Sequence, residues 1–66
     1  MPDLILTPNI DSADDFYADL LAIHEGLESA DSHALNARLV LILANHIGDR
    51  TVLSQALAAA AFKPEE

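Results

Sequence analysis

The 66-residue sequence contains no cysteine. This absence excludes disulfide bonds and thiolate metal sites. A chain of this length is close to the lower size limit for independent folding, and such chains usually gain stability from disulfides, a metal or a second chain. With no disulfide available, stability must come from tightly packed helices or from association with another chain.

Glycine is scarce as well, since the sequence has only Gly26 and Gly48. Two isolated glycines do not form the glycine-rich loop that holds phosphates. No serine stands in the strand–turn–helix pattern of a nucleophile elbow. A chain this small also has little material with which to wall off a pocket from water. We therefore predict that the protein is not an enzyme, has no catalytic residues and carries no cofactor of its own.

Lysine and arginine are missing from the first 31 positions, which hold eight carboxylates. The whole chain has a net charge of −8. Such an acidic half is expected to repel nucleic acids and anionic membrane surfaces, and to suit a basic patch on a protein partner. The charge would equally serve to keep an apolar small protein soluble. The apolar run at 39–44 is too short to span a bilayer, and the first residues lack the basic region of a signal peptide, so we expect a cytoplasmic protein.

Hydrophobic residues make up 52% of the sequence, and alanine and leucine dominate them, with only three aromatic side chains. This composition favours helices over strands. The sequence predicts an all-α, three-helix mini-domain in a single domain over 1–66. The predicted segments are an extended N-terminal arm at 1–10 and helices at about 12–28, 33–47 and 51–62. The predicted N-caps are Asp11 or Ser12, Asp31 or Ser32, and Asp49 or Thr51, and Gly48 is expected to lie just past the second helix.

The second helix is apolar on every side between Leu39 and Ala44. A helix of this kind is normally buried all round, which two neighbouring helices of so short a chain cannot achieve. This is the main reason to expect a second chain. Polar residues also interrupt the helix, and Arg38, Ile42 and Asn45 lie along one stripe. The stripe predicts either an internal polar network or the part of an interface that sets specificity.

Three histidines suggest a metal site as a further hypothesis, through His24, Glu28 and His46. A structural metal site needs three or four converging ligands, and the sequence pattern shows only pairs. The second and third helices also mimic a helix-turn-helix, but the segment at 51–62 has no lysine or arginine to contact DNA. We therefore predict no metal site and no nucleic-acid partner.

Three segments, DDFY at 14–17, HEGL at 24–27 and ALNARLVLILANHIGD at 34–49, resemble a family of short bacterial proteins of unknown function. Members of that family are often encoded beside FAD-dependent aromatic-ring hydroxylases and other enzymes of aromatic degradation. The resemblance implies a small companion subunit of such an oxidoreductase, with any FAD carried by the partner. It implies no catalytic residues.

Together, these features predict a non-catalytic accessory subunit that binds a larger enzyme. The alternative is a self-associating helical bundle with a regulatory, ligand-binding or metal-binding role. The expected partner is a larger protein subunit, a second copy of the chain, or both, and no membrane. The residues expected at the interface are Tyr17, His24, Arg38, Leu39, Ile42, Leu43, Asn45 and His46.

Overall fold

The computed structural model describes residues 3–63, and within that range it contains three α-helices and no strand. The helices are α1 (Ala13–His24), α2 (Ser29–Ile47) and α3 (Arg50–Ala61). The prediction of a small all-α protein is confirmed. Residues 3–10 form no helix or strand, as expected for the arm, while the first two residues of the arm and the acidic tail at 64–66 lie outside the described residues.

Helix α1 is shorter than its predicted range of about 12–28. It begins after Ser12, which is the N-cap residue as one of the two predicted candidates, but which has the left-handed φ of 51° and makes no side-chain capping bond. It ends at His24 because Gly26 takes a φ of 79°, and the amide of Leu27 donates to the carbonyl of His24 across the turn. Glycine adopts this φ without the steric cost that a side chain would impose.

Helix α2 begins four residues earlier than predicted, at Ser29 instead of residue 33. The prediction assigned Asp31 or Ser32 as the cap. Instead Asp31 lies in the first turn, where a negative charge favours the helix dipole, and the Ser32 side chain is used elsewhere. The helix ends as predicted, because Gly48 follows it with a φ of 73° and its amide donates to the carbonyl of Ala44.

Helix α3 begins one residue before its predicted start and ends one residue before its predicted end. Of the two candidate caps, Asp49 is the one used: its Oδ1 accepts a hydrogen bond of 3.0 Å from the amide of Val52. The arm is tied to this helix by Gln55, whose Oε1 accepts from the Leu4 amide at 2.8 Å and whose Nε2 donates to Asp3 Oδ1 at 3.5 Å.

The three helices do not enclose a hydrophobic core. Within residues 3–63 no residue of any type is fully buried. The chain measures 40 × 31 × 26 Å with a radius of gyration of 14.0 Å, whereas a compact domain of this length has a radius of gyration of about 11 Å. The helices therefore present their apolar side chains at a surface instead of packing them inside.

Candidate functional site

The concave side of the α2–α3 pair is an apolar groove of about 440 Å³. Its walls come from residues spaced three and four apart on each helix, which is the spacing that places side chains on one face. We call it the α2–α3 groove, and it is lined by Val40, Leu41, Leu43, Ala44, Ile47, Leu53, Ala56 and Leu57. None of these side chains is charged or polar, so the groove is suited to an apolar occupant.

The side chains that line the groove differ in size and in exposure. Ala44 and Ala56 are half-buried, whereas Leu41 and Leu57 are 70% and 71% exposed. Large leucines therefore project beside small alanines within the same surface. This alternation of large and small residues is the pattern by which helices interdigitate when they pack.

The opposite side of α2 carries a second surface, made of Arg38, Ile42 and Asn45. With about 100° of rotation per residue, these three positions face away from Val40, Ala44 and Ile47 of the groove, while Leu41 at the edge of the groove neighbours Arg38 and Asn45. All three are exposed, and Ile42 is 64% exposed. We call this surface the α2 stripe. No side-chain hydrogen bond between residues 3 and 63 includes Arg38, Asn45 or His46, so the internal polar network, one of the two interpretations of the stripe, is not formed within this chain.

His24 occupies a different position from the rest of the predicted interface. It is half-buried between α1 and α2, with Nδ1 3.0 Å from Ser32 Oγ and Nε2 3.1 Å from Asn36 Oδ1. The amide oxygen of Asn36 only accepts, so Nε2 donates to it, while the serine hydroxyl can take either role towards Nδ1. Both ring nitrogens are thus engaged in holding α1 against α2.

The remaining predicted interface residues are distributed over both faces. Tyr17 is exposed on α1, and Leu39 is half-buried on the side of α2 that also bears Leu35. Leu43 belongs to the α2–α3 groove and is about half exposed. His46 is exposed in the last turn of α2. The eight residues therefore do not form one patch.

Sequence reasoning missed the groove as a unit. The signal was present in α2, because Val40, Leu43, Ala44 and Ile47 follow the i, i+3, i+4, i+7 spacing of one helix face. It was obscured because the neighbouring positions are apolar too. Gln55, which binds the arm, had no recognisable signal in the sequence.

The structure brings no metal site together. Among residues 3–63 there is no group of three or more histidine or carboxylate side chains that could hold a metal ion. His24, Glu28 and His46, the ligands of the metal hypothesis, are accordingly not assembled as a set. None of the described helices has the length and apolar character required to cross a membrane.

A family model described as "Protein of unknown function (DUF2783)" matches residues 4–62, from the arm to the end of α3. No curated protein matches the chain. No solved structure matches it either.

Proposed function

The chain belongs to the DUF2783 family of proteins of unknown function, and from this premise we propose that it is a small non-catalytic accessory subunit that binds a larger enzyme. The observation that carries the proposal is the absence of any buried residue between positions 3 and 63. A folded protein needs buried apolar area to offset the loss of chain entropy. A partner chain is the direct means of burying these side chains.

The α2 stripe is the surface that we assign to the enzyme. An exposed isoleucine stands at its centre, between an arginine and an asparagine. Protein interfaces commonly have an apolar centre with polar groups around it, and arginine is enriched among the residues that contribute most to binding. The free donors and acceptors of Arg38 and Asn45 can then set the register of the docked chains.

Charge gives the expected character of the enzyme's surface. The eight carboxylates of the first 31 residues have no lysine or arginine among them. A basic patch on the partner complements this half, increasing the association rate and the specificity of docking. Association is accordingly expected to slow as the salt concentration rises.

The class of enzyme follows from the family resemblance of the motifs DDFY, HEGL and ALNARLVLILANHIGD. The proposed partner is an FAD-dependent aromatic-ring hydroxylase of an aromatic-degradation pathway, located with this chain in the cytoplasm. The flavin belongs to the hydroxylase, and the accessory subunit stabilises the enzyme or orders one of its loops. The chain itself contributes no catalytic group in this proposal.

The test is a binding titration between the purified chain and a purified FAD-dependent aromatic-ring hydroxylase from the same organism. We expect Ile42→Asp to abolish binding, because it places a charge at the centre of the interface, and Arg38→Ala to weaken binding by about tenfold or more. Ser54→Ala, at an exposed position of α3, is the matched control and should bind as the wild type does. Equal affinity of all four proteins, or no binding by the wild type, would overturn the proposal.

A self-associating helical bundle that acts without a larger enzyme is the second candidate function. The α2–α3 groove favours it, because an apolar concave surface can be filled by another copy of the same chain. The two functions differ in whether the hydroxylase is needed. A stand-alone bundle binds its ligand or regulates its target when the hydroxylase is absent, whereas an accessory subunit acts only together with the enzyme. The metal-binding form of this alternative predicts stoichiometric metal after purification without a chelator, whereas residues 3–63 contain no group of three side chains that could hold a metal ion.

A further inference from the structure

We propose that the α2–α3 groove is the contact surface between two copies of this chain, which pair about a two-fold axis into a helical dimer. This inference rests on the self-association of the second candidate function and specifies its surface and symmetry; it concerns a different surface from the α2 stripe and does not require the enzyme. Each copy contributes α2 and α3, so the paired grooves form a four-helix arrangement. The argument rests on the exposed area, on the shape of the groove and on the distribution of charge.

The exposed area of the single chain is too large for a compact monomer. The chain exposes 6055 Å² at a mass of 7.1 kDa. A folded monomer of that mass exposes about 4,100 Å², so the excess is about 2,000 Å² per chain. Covering that excess on both copies buries about 4,000 Å² in total, which lies within the range of about 2,000–5,000 Å² found for obligate homodimers. The excess is thus large enough for a dimer interface, although the exposed apolar side chains of α1 and the α2 stripe lie outside the groove and are not covered by it.

The groove is complementary to itself. A two-fold interface requires one surface to fit its own copy, so a projection on one chain must meet a depression on the other. The half-buried Ala44 and Ala56 form such depressions, and the strongly exposed Leu41 and Leu57 form the projections. In the dimer, the leucines of each copy pack over the alanines of the other, as knobs fit into holes.

Charge selects this face over the rest of the surface. The groove lining has no ionisable side chain, and α3 has only Arg50. The carboxylates are concentrated at residues 3–31, in the arm, α1 and the start of α2. Pairing through α1 would bring two acidic surfaces together, and like charges across an interface are costly. Pairing through the groove involves no such contact.

The dimer leaves Ile42, at the centre of the α2 stripe, free. Ile42 is rotated by about 100° from Leu41 and Leu43 and by more from the other α2 residues of the groove, so a second copy in the groove does not cover it. One dimer can thus present two stripes, one on each side. The self-association and the enzyme contact are therefore separable by mutation.

The test is sedimentation equilibrium of the purified full chain, with no other protein present, over micromolar concentrations. The expected mass is twice the 7.1 kDa of one chain. Leu57→Ala should weaken dimerisation by about a hundredfold, because the same apolar contact is lost twice in each dimer. Leu57→Asp should give monomers only. Ile42→Ala, at an equally exposed apolar residue of the α2 stripe, is the control and should dimerise as the wild type does.

Two other outcomes overturn the proposal. The first is a wild-type mass of one chain at every concentration; if the groove variants then lose binding to the hydroxylase, the groove belongs to the enzyme. A dimer that is weakened by Ile42→Ala and not by Leu57→Ala would assign self-association to the stripe. If Leu57→Asp fails to fold, Leu57→Ala decides, since truncating a side chain that is 71% exposed removes little packing within the single chain.

Discussion

The imidazole Nε2 of His24 lies 3.1 Å from the amide oxygen of Asn36, so the end of α1 is joined to the second turn of α2. The same ring contacts Ser32 through Nδ1. These bonds are the only side-chain hydrogen bonds between α1 and α2 among residues 3–63. Within the described residues, His24 is therefore the residue that joins α1 to α2 through side-chain hydrogen bonds.

Replacing this histidine should loosen α1. His24→Ala removes two hydrogen bonds and is expected to lower the free energy of unfolding by about 1–2 kcal/mol, which corresponds to a decrease in Tm of several degrees for a chain of this size. Thermal unfolding followed by circular dichroism measures the effect. His33→Ala, at an exposed position of α2, should leave Tm unchanged. Equal Tm values for both variants would contradict the role given to His24.

The cap of α3 gives a second prediction. Asp49→Ala removes the acceptor of the Val52 amide, a bond of 3.0 Å, and should destabilise the protein by about 1 kcal/mol. Asp49→Asn keeps an oxygen in the same place and should be close to the wild type. Amide hydrogen exchange at Val52 reports the change directly. Protection of that amide in Asp49→Ala equal to the wild type would show that the cap does not hold the helix.

The turn between α2 and α3 should tolerate few residues at Gly48. A Cβ at this position would meet only the Asn45 carbonyl oxygen, at an ordinary distance of 3.7 Å, so the cost of a side chain comes from the φ of 73°. Gly48→Ala is expected to destabilise the protein by about 1 kcal/mol, and Gly48→Asn by less, because asparagine tolerates the left-handed region better. Urea unfolding of the two variants tests this order, and a more stable alanine variant would contradict it.

The arm should detach when Gln55 is changed. Gln55→Ala removes the acceptor for the Leu4 amide and should raise hydrogen exchange at Leu4 and the rate of proteolysis within residues 3–10. Helix stability should change little, because the exposed arm covers little of α3. Ser54→Ala, the neighbouring exposed position, should retain the slow exchange. An unchanged arm in Gln55→Ala would show that the hydrogen bond does not fasten it.

The sequence predicted the helices well where the local rules agree. Gly48 and Asp49 mark the turn between α2 and α3 by their residue types alone, and both act as expected. The predicted start of α2 was wrong because the Ser32 side chain can make two kinds of hydrogen bond: it can cap a helix, or it can bind a side chain that is distant in the sequence. The contact with His24 decides between them, and that contact exists only once α1 and α2 have folded together.

The surfaces were predicted less completely than the helices. An apolar helix segment such as Leu39–Ala44 indicates that something must cover it, but it gives no direction, since every side is equally apolar. The position of α3 supplies the direction, by enclosing the groove with Leu53, Ala56 and Leu57 and leaving Ile42 outside it. Sequence patterns within one helix do not contain that information.

The central structural claim is that the purified chain buries its apolar surface against a second copy of itself, and the dependence of Tm on protein concentration tests it most directly. Unfolding that is coupled to dissociation shifts with concentration by mass action. We predict that the Tm of the purified chain rises steadily when its concentration is raised about a hundredfold. A cooperative unfolding transition with the same Tm throughout, at the mass of a single chain, would contradict the account and show that the protein is complete as a monomer.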